Sequence, residues 1–407
     1  MLLELTISFK EKNIKEMKKH LIFITEALWI GGIETALVNL LNRLDYDRYD
    51  VTCLILRDSR EMAYRITPKC RLIVADRQHT VSFSEAYRHK RMYNLMEEPQ
   101  HATKFRRLIW HILCLLLRAP EAALYASYVK KQMRGEHFAT AVIYSDRAAE
   151  TAVRAISAEK FLMFYHHGAM RREYHDTYGY RKSEKVIAVS EALAEKLCTY
   201  RPRYADKIIY VNNLIDIDTV RRKSLDLPST VFPKDRFNIV SCGRLSPAKG
   251  MDIAVDACAK LVNDGVNDIH WWIVGGGPEE DALREQIRTL DMDSYVTLLG
   301  MQDNPYPYIR RADLYVQPSR FEAFGLSILE AQVLDVPILA TKTDGAKELI
   351  EDGKTGALCN ISVKSLAESI NVLKESPQTR QAYRNALSDY DFEQDNTVIL
   401  QKLYTLF

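Results

Sequence analysis

The sequence has little of what would make it a disulfide-built, exported or membrane-spanning chain. Its seven cysteines, Cys53, Cys70, Cys114, Cys198, Cys242, Cys258 and Cys359, are odd in number, widely spaced and without a C-x-x-C pair. That spacing excludes a disulfide framework and a zinc site of the usual pattern, and implies reduced thiols in the cytoplasm. The longest apolar run, residues 108–117, is interrupted by His111 and is about half of the roughly 20 residues a bilayer span requires. No segment is expected to cross a membrane. The N-terminus opens on Leu and Glu and runs into lysines, without the charged, apolar and small-residue order of a signal peptide, so no export signal is expected. With 16 glycines and 13 prolines there is no low-complexity or collagen-like tract, and no short repeat is visible. The ten histidines show no H-E-x-x-H spacing, and no metal site is expected.

What is present is 407 residues, 47% hydrophobic and 27% charged, enough for two or three domains of ordinary size. The formal charge of +2 conceals an asymmetry. Residues 1–212 hold 35 basic and 25 acidic side chains, a balance of +10, and the remainder 21 and 29, a balance of −8. Two units with different partners are implied, the basic one suited to phosphates, an anionic membrane surface or acidic substrates.

Short apolar runs of strand type alternate with helical periodicity. HLIFITEAL (20–28) is followed by Gly31-Gly32 and then ETALVNLLNRL; VTCLIL, AVIYS, FLMFYHH, KVIAVS and KIIYVNN follow. After Asn213 the chain passes through a polar, proline-containing stretch, and the rhythm restarts at FNIVSCGR (237–244) and continues through HWWIVGGG, YVTLLG, DLYVQPS, VPILAT and TGALC. The fold class is therefore α/β, two doubly wound Rossmann-like domains facing each other across a cleft, with ligands beyond the carboxyl ends of the strands. The expected divisions are 1–213 (with 1–19 either a leader or, through the lysines at 10–19, a further basic stretch for a membrane surface), 214–385, and a C-terminal helix over 386–407 that crosses back to the first domain.

In SRFEAFGLSILEA (319–331), Glu322 and Glu330 are separated by seven residues around a Phe-Gly turn. A helix starting near Gly325 would put Glu330 on its second turn, with the amides of Phe324, Gly325 and Leu326 turned toward whatever binds between the carboxylates. The alternative is an ordinary loop with two solvated glutamates. Arg244 and Lys249, in GRLSPAKG, could hold a diphosphate, one as a two-pronged donor and the other as a point charge; they could equally be two surface cations. VGGGPEEDALREQI (274–287) resembles a dinucleotide fingerprint but has Glu280 where the third glycine belongs. A nicotinamide site is therefore not expected; Gly275 and Gly277 would serve a tight turn, with Pro278 starting a helix.

Taken together, GGIE, GRLSPAKG, IVGGGPEED, the long stretch LLGMQDNPYPYIRRADLYVQPSRFEAFGLSILEA and VPILATKTDGAKELIEDGKTGALC resemble family four of the retaining glycosyltransferases of the GT-B fold. The resemblance spans the second domain nearly end to end. In the first it is carried by Gly31, Gly32 and Glu34, the YHHG strand end, KVIAVSEAL and NLID, while residues 60–135 match nothing. It implies that Glu330 accepts hydrogen bonds from a nucleotide ribose, that Glu322 reads hydroxyls of the donor sugar, and that Arg244 and Lys249 hold the diphosphate. Residues 299–301, with Met301, would lie near the base, expected to be uracil, and Gly31 and Gly32 would let the backbone approach the phosphates or acceptor. Of the two strand-end histidines, His167 is the preferred neighbour of the anomeric carbon and His166 the alternative. Fixed cations would oppose the charge of the leaving diphosphate, so no D-x-D metal motif is needed and none is expected; no cofactor is expected either. No carboxylate nucleophile stands out in the first domain, which favours same-face substitution over double displacement.

Residues 101–134 set seven cations and one acid around LIWHILCLLL and Trp110. This is either a segment for an anionic membrane surface or a buried helix with solvated ends. The first reading makes the acceptor a glycan linked to lipid, and the protein cytoplasmic and peripheral on the inner face of the membrane. Two rival functions stand beside the transferase: a catalytically silent nucleotide-sugar binding subunit and a GT-B sugar-nucleotide epimerase. Nucleic acid is not an expected partner.

Overall fold

A computed structural model describes residues 18–57, 59–75, 123–167, 176–228 and 230–407. The leader expected within 1–19, most of the segment 101–134 with Trp110, and Gly168 lie outside the described residues.

The chain forms two all-parallel sheets with helices between successive strands. The first has seven strands, β1 (Lys19–Thr25), β2 (Tyr49–Ile55), β3 (Arg71–Val74), β4 (His137–Ile143), β5 (Ser157–Tyr165), β6 (Lys185–Ala188) and β7 (Ile208–Tyr210), in the order β3-β2-β1-β4-β5-β6-β7. The second has six, β8 (Phe237–Cys242), β9 (Ile269–Val274), β10 (Val296–Gly300), β11 (Leu314–Gln317), β12 (Ile338–Thr341) and β13 (Ala357–Cys359), in the order β10-β9-β8-β11-β12-β13. This is the expected pair of doubly wound units. The strand order reverses at β1/β4 in one sheet and at β8/β11 in the other, and a crevice opens at each reversal beyond the strand ends.

The central strands are apolar throughout because helices cover both faces. Every residue of β9, IHWWIV, is buried, and its two indoles are satisfied: Trp271 Nε1 donates to Ser241 Oγ at 3.0 Å and Trp272 Nε1 to Asn238 Oδ1 at 3.0 Å. One apolar cluster runs from the first sheet onto one face of the second, while the other face of the second sheet has a core of its own. Strand β3 was not anticipated. It is a partly exposed edge strand of four residues, RLIV, and shows no alternation.

The polar stretch after Asn213 holds a short helix, Ile217–Lys223, whose N-terminus Asp216 caps by accepting from Thr219 N at 3.0 Å. Near the C-terminus one helix runs Pro377–Ser388 and the next Phe392–Leu406. The last helix lies against the first sheet: the Phe407 ring meets Phe23 edge-on at 5.9 Å, and Tyr404 stacks on Tyr49 at 5.5 Å. The Phe407 carbonyl accepts from Lys19 Nζ at 3.3 Å and Thr140 Oγ1 at 3.4 Å.

The two units also meet directly. Ser190 caps the helix Glu191–Tyr200, and its hydroxyl donates to the Ala323 carbonyl at 2.6 Å. Glu348 accepts from the Glu191 amide at 3.1 Å and from Asn212 Nδ2 at 3.1 Å, and Lys196 pairs with Asp344.

Candidate active site

The loops after β8, β9 and β10 are joined through backbone. Gly243 N donates to Val274 O, Leu245 N to Gly276 O and Gly275 N to Gly300 O, at 2.9 to 3.0 Å. No side chain fits between them: a Cβ on Gly275 would stand 1.9 Å from the Gly243 carbonyl oxygen, and one on Gly277 2.3 Å from that of Leu245. The glycine run thus brings three loops together, as expected of a tight turn, although its helix begins at Glu280 and not at Pro278. The loop after β8 then packs on the loop after β11 through Gly250, at φ 64°, where a Cβ would stand 2.1 Å from Pro318 O.

That approach sets Lys249 against Glu322, whose side chain is 6% exposed. Glu322 Oε1 accepts from Lys249 Nζ, from Ser319 Oγ at 3.0 Å and from Gln317 Nε2 at 3.2 Å. Gln317 is itself fixed, its Oε1 accepting from Tyr315 OH at 2.6 Å and Ser327 Oγ at 3.0 Å. A buried carboxylate is sustained here by a cation and two neutral donors. An ammonium has three donors, so Lys249 keeps capacity beyond this pair.

The helix Leu326–Val333 starts at Gly325, φ 100°, so the first-turn amides lie beside this network. The helix Asp344–Leu349 comes so close that a Cβ on Gly345 would meet Phe324 O at 2.4 Å. Phe324 is buried and Leu326 half-buried. Glu330, on the second turn, is also buried, and Tyr306 OH donates to its Oε1 at 3.2 Å. Burial pushes the Glu330 carboxyl up to about 7, against the lowering effect of the Tyr306 hydrogen bond and the Arg65 guanidinium. Met301 is exposed at the rim, against Gly276 and beside an open groove of about 430 Å³ walled by Asp226, Leu227, Asn304 and Tyr308.

From the first unit, the turn at Gly31-Gly32 opens the helix Gly32–Arg43, and the Gly31 carbonyl accepts from Thr35 N at 2.9 Å. Gly32 is open to solvent on its Cβ side. Burial raises the Glu34 carboxyl; its own amide opposes the rise, Glu26 adds to it, and Arg244 and Arg147 oppose it. Arg244, from the second unit, therefore lies within electrostatic reach of this turn.

The two histidines after β5 have different surroundings. His166 packs between Tyr144, 4.7 Å away, and Phe164, 5.8 Å away, with its Nε2 buried and unpartnered. Burial and the neighbouring His167 charge hold it neutral, with a pKa down at about 3. His167, with 38% of its side chain exposed, bonds through Nε2 to Asp146 Oδ1 at 3.1 Å. A carboxylate only accepts, so this nitrogen carries the hydrogen. Burial alone would raise Asp146, but His167 and the Arg147 amide and charge outweigh it and hold the carboxyl low.

The structure thus collects Glu322, Lys249, Phe324, Gly325 and Leu326 at one point, with Glu330 and Met301 on one side and Arg244 within electrostatic reach of the turn at Gly31, Gly32 and Glu34 on the other; His167 stands on the facing sheet. Gln317, Ser319, Tyr306, Asp146 and Arg65 were not anticipated. All but Tyr306 and Arg65 lie within three residues of a strand end, which is the one signal that could have found them. Asp-x-Asp triplets do occur, contrary to expectation, at 45–47, 216–218, 291–293 and 389–391. They serve local structure: Asp216 and Asp391 cap helices, Asp45 accepts from the Asp47 amide, and Asp291 sits in a turn at φ 58°. Among the described residues no group of three His, Cys, Asp or Glu could hold a metal ion, and no helix is long and apolar enough to cross a membrane.

Residues 223–388 match the family described as Glycosyl transferases group 1. A Campylobacter jejuni N-acetylgalactosamine-N,N'-diacetylbacillosaminyl-diphospho-undecaprenol 4-alpha-N-acetylgalactosaminyltransferase is 28% identical over 208 residues, 51% of this chain and 55% of that one. A D-inositol 3-phosphate glycosyltransferase of Mycolicibacterium smegmatis is 30% identical over 190 residues, 44% of this chain and 42% of that one. The chain spans about half the length of the curated relatives it matches. Over nearly the whole chain the fold is that of Anabaena HepE, solved with UDP-glucose, with TM-score 0.69, 19% identity, and 95% and 100% of the two chains covered. A mutant of S. aureus TarM, solved with Fondaparinux, alpha-GlcNAc-glycerol and UDP, superposes with TM-score 0.69 at 13% identity over 95% and 99% of the two chains. Residues 223–388 are a glycosyl transferases group 1 domain, set in a chain of GT-B fold.

Proposed function

We propose that the protein is a retaining glycosyltransferase that moves a sugar from a nucleotide donor, a UDP-sugar, to a hydroxyl of a lipid-linked glycan during cell-surface polysaccharide synthesis. The observation that carries this reading is the buried Glu322 carboxylate paired with Lys249 beside the start of the helix Leu326–Val333, facing the Gly31-Gly32 turn. In this role Glu322 reads sugar hydroxyls with its second oxygen, and Lys249, Arg244 and the first-turn amides take up charge as the diphosphate leaves. These are preorganised donors, effective without a metal ion. Glu330 accepts from the ribose diol, and the base lies toward Met301.

His167 stands near the anomeric carbon, and its more exposed ring supports the choice of His167 over His166. Of the first-domain carboxylates nearby, Asp146 is engaged with His167 and Glu26 with Arg57 and Arg147, and burial raises the Glu34 carboxyl, which disfavours its ionised, nucleophilic form. That supports same-face substitution, in which the departing phosphate oxygen takes the acceptor proton as the new glycosidic bond forms. The lipid-linked acceptor and a peripheral position on the cytoplasmic face rest on the basic, apolar composition of residues 101–134, and on a relative whose name specifies a diphospho-undecaprenol substrate.

The test is a thermal-shift and hydrolysis screen with UDP-, GDP- and ADP-sugars, with and without EDTA, repeated on Glu322→Ala. The expected result is stabilisation by the uridine series and EDTA-insensitive turnover that Glu322→Ala abolishes. Turnover that survives in Glu322→Ala, or that EDTA stops, would overturn the reading; nucleotide binding without turnover toward any acceptor would favour a silent subunit.

A further inference from the structure

We infer that Arg65 completes the nucleoside end of the donor site from across the cleft, as a positioning residue; this rests on the donor-site reading proposed above. Arg65 ends the short helical turn Ala63–Arg65 in the loop after β2. The loop is tied to the glycine turn of the same sheet: Leu28 N donates to Ser59 O at 2.9 Å, Met62 N to Leu28 O at 3.1 Å and Ile30 N to Glu61 Oε2 at 3.2 Å. Asn42, on the helix that the glycine turn opens, holds it from behind, giving its Nδ2 to Arg65 O at 2.9 Å and accepting from Thr67 N at 2.7 Å. Arg65 and Gly31-Gly32 are therefore parts of one rim.

From that rim the guanidinium crosses to the second unit. Its Nη2 donates to the Asp303 carbonyl at 2.5 Å, in the segment between Met301 and Tyr306, and its Nε donates to Tyr64 OH at 3.1 Å. Tyr64 is 69% exposed at the same lip, and the guanidinium stands 5.5 Å from its ring centre. A flat aromatic ring and a forked cation at the lip of the cleft, the cation within electrostatic reach of the buried Glu330 carboxylate, suit a nucleoside whose ribose diol meets that carboxylate.

The electrostatics of Glu330 agree. The groups that face it are Tyr306, Cys242 on β8, Tyr315 on β11 and Arg65. Burial pushes the first three upward, so they are neutral near pH 7. Arg65 is the cation that acts on Glu330, whereas Lys249 is paired with Glu322. A carboxylate whose task is to accept two hydroxyl protons must be ionised, and the guanidinium from the opposite unit favours that form.

The experiment is calorimetric titration of UDP into the full chain between pH 6 and 9, for wild type, Arg65→Ala and Arg65→Lys, with melting curves to verify folding. In wild type, UDP affinity should rise with pH as Glu330 ionises. Arg65→Ala should weaken UDP about tenfold at pH 7 and move the midpoint of that rise upward, and Arg65→Lys should restore the midpoint most of the way. A merely structural contact would leave the midpoint in place. Unchanged affinity and midpoint in Arg65→Ala would overturn the inference while leaving the donor site standing. A wild type that binds none of UDP, GDP and ADP would remove the donor-site reading and this inference together.

Discussion

Asp146 and His167 meet at 3.1 Å from the ends of neighbouring strands, one buried and ionised, the other half-open to the cleft. The parallel register pairs Ile143 with Met163, so a residue three past one strand end and a residue four past that point on the next strand arrive together. The carboxylate fixes the imidazole tautomer and plane. Asp146→Asn keeps the shape but removes the charge, and is expected to lower kcat about ten- to a hundredfold, with little change in donor KM. Because Asp146 is held low, its stabilising effect is present above the usual carboxylate range and is lost as pH falls through its folded value. Acid unfolding of Asp146→Asn should accordingly be less steep than that of wild type.

Lys249 and Glu322 should behave as one energetic unit. Lys249→Met leaves a buried carboxylate with only Ser319 and Gln317 as donors, and is expected to cost about 2–4 kcal/mol of stability and about 10²–10³ in turnover. Glu322→Gln added to it should recover most of the stability and none of the activity. A denaturant double-mutant cycle measures the first and an assay on the same preparations the second; additive single effects would refute the coupling.

Glu330 is expected to trade stability for binding. With its carboxyl raised to about 7 in the folded state, the native protein holds a proton that the unfolded chain releases above about 4.5. Folding stability contributed at this site is therefore full below that point and declines as pH rises toward 7. Glu330→Gln should melt like wild type at pH 5 and be more stable by about 1–3 kcal/mol at pH 8, with nucleotide affinity reduced. Equal stabilities at pH 8 would contradict the assignment.

Gly275→Ala tests the loop junction. The new methyl would stand 1.9 Å from the Gly243 carbonyl oxygen, at a φ of 144° that L side chains rarely adopt. A loss of about 2–4 kcal/mol is expected, with Arg244 displaced. Gly32→Ala, where nothing stands within 4 Å, should leave stability nearly unchanged.

Much of this fold could be read from the sequence because buried parallel strands are short apolar runs, and β1, β5, β8 and β9 stand out against their polar loops. Strand β3 could not: it lies at an edge and is partly exposed, and it opens on Arg71, which bonds to Thr52 on the neighbouring strand and to Glu136. In the site, Glu322 and Glu330 were visible because they bracket one turn. Tyr306 was not, since 24 residues separate it from the carboxylate it touches and nothing local marks it. Arg65 and Asp303 are 238 positions apart, and only the approach of the two sheets relates them. The Asp-x-Asp triplets were missed, and the structure shows them in helix caps and turns, which use the same residues as metal sites.

The helix Phe392–Leu406, packed on the first sheet, joins the last residues made to the first strands made. N-terminal units ordinarily fold first during synthesis. Here the rings that cover Phe23 and Tyr49 belong to Tyr404 and Phe407, which are made only after the whole second sheet. Until then Phe23 and Tyr49 of the first sheet lack these partners. That cover arrives from the other end of the chain, so the first unit is completed last.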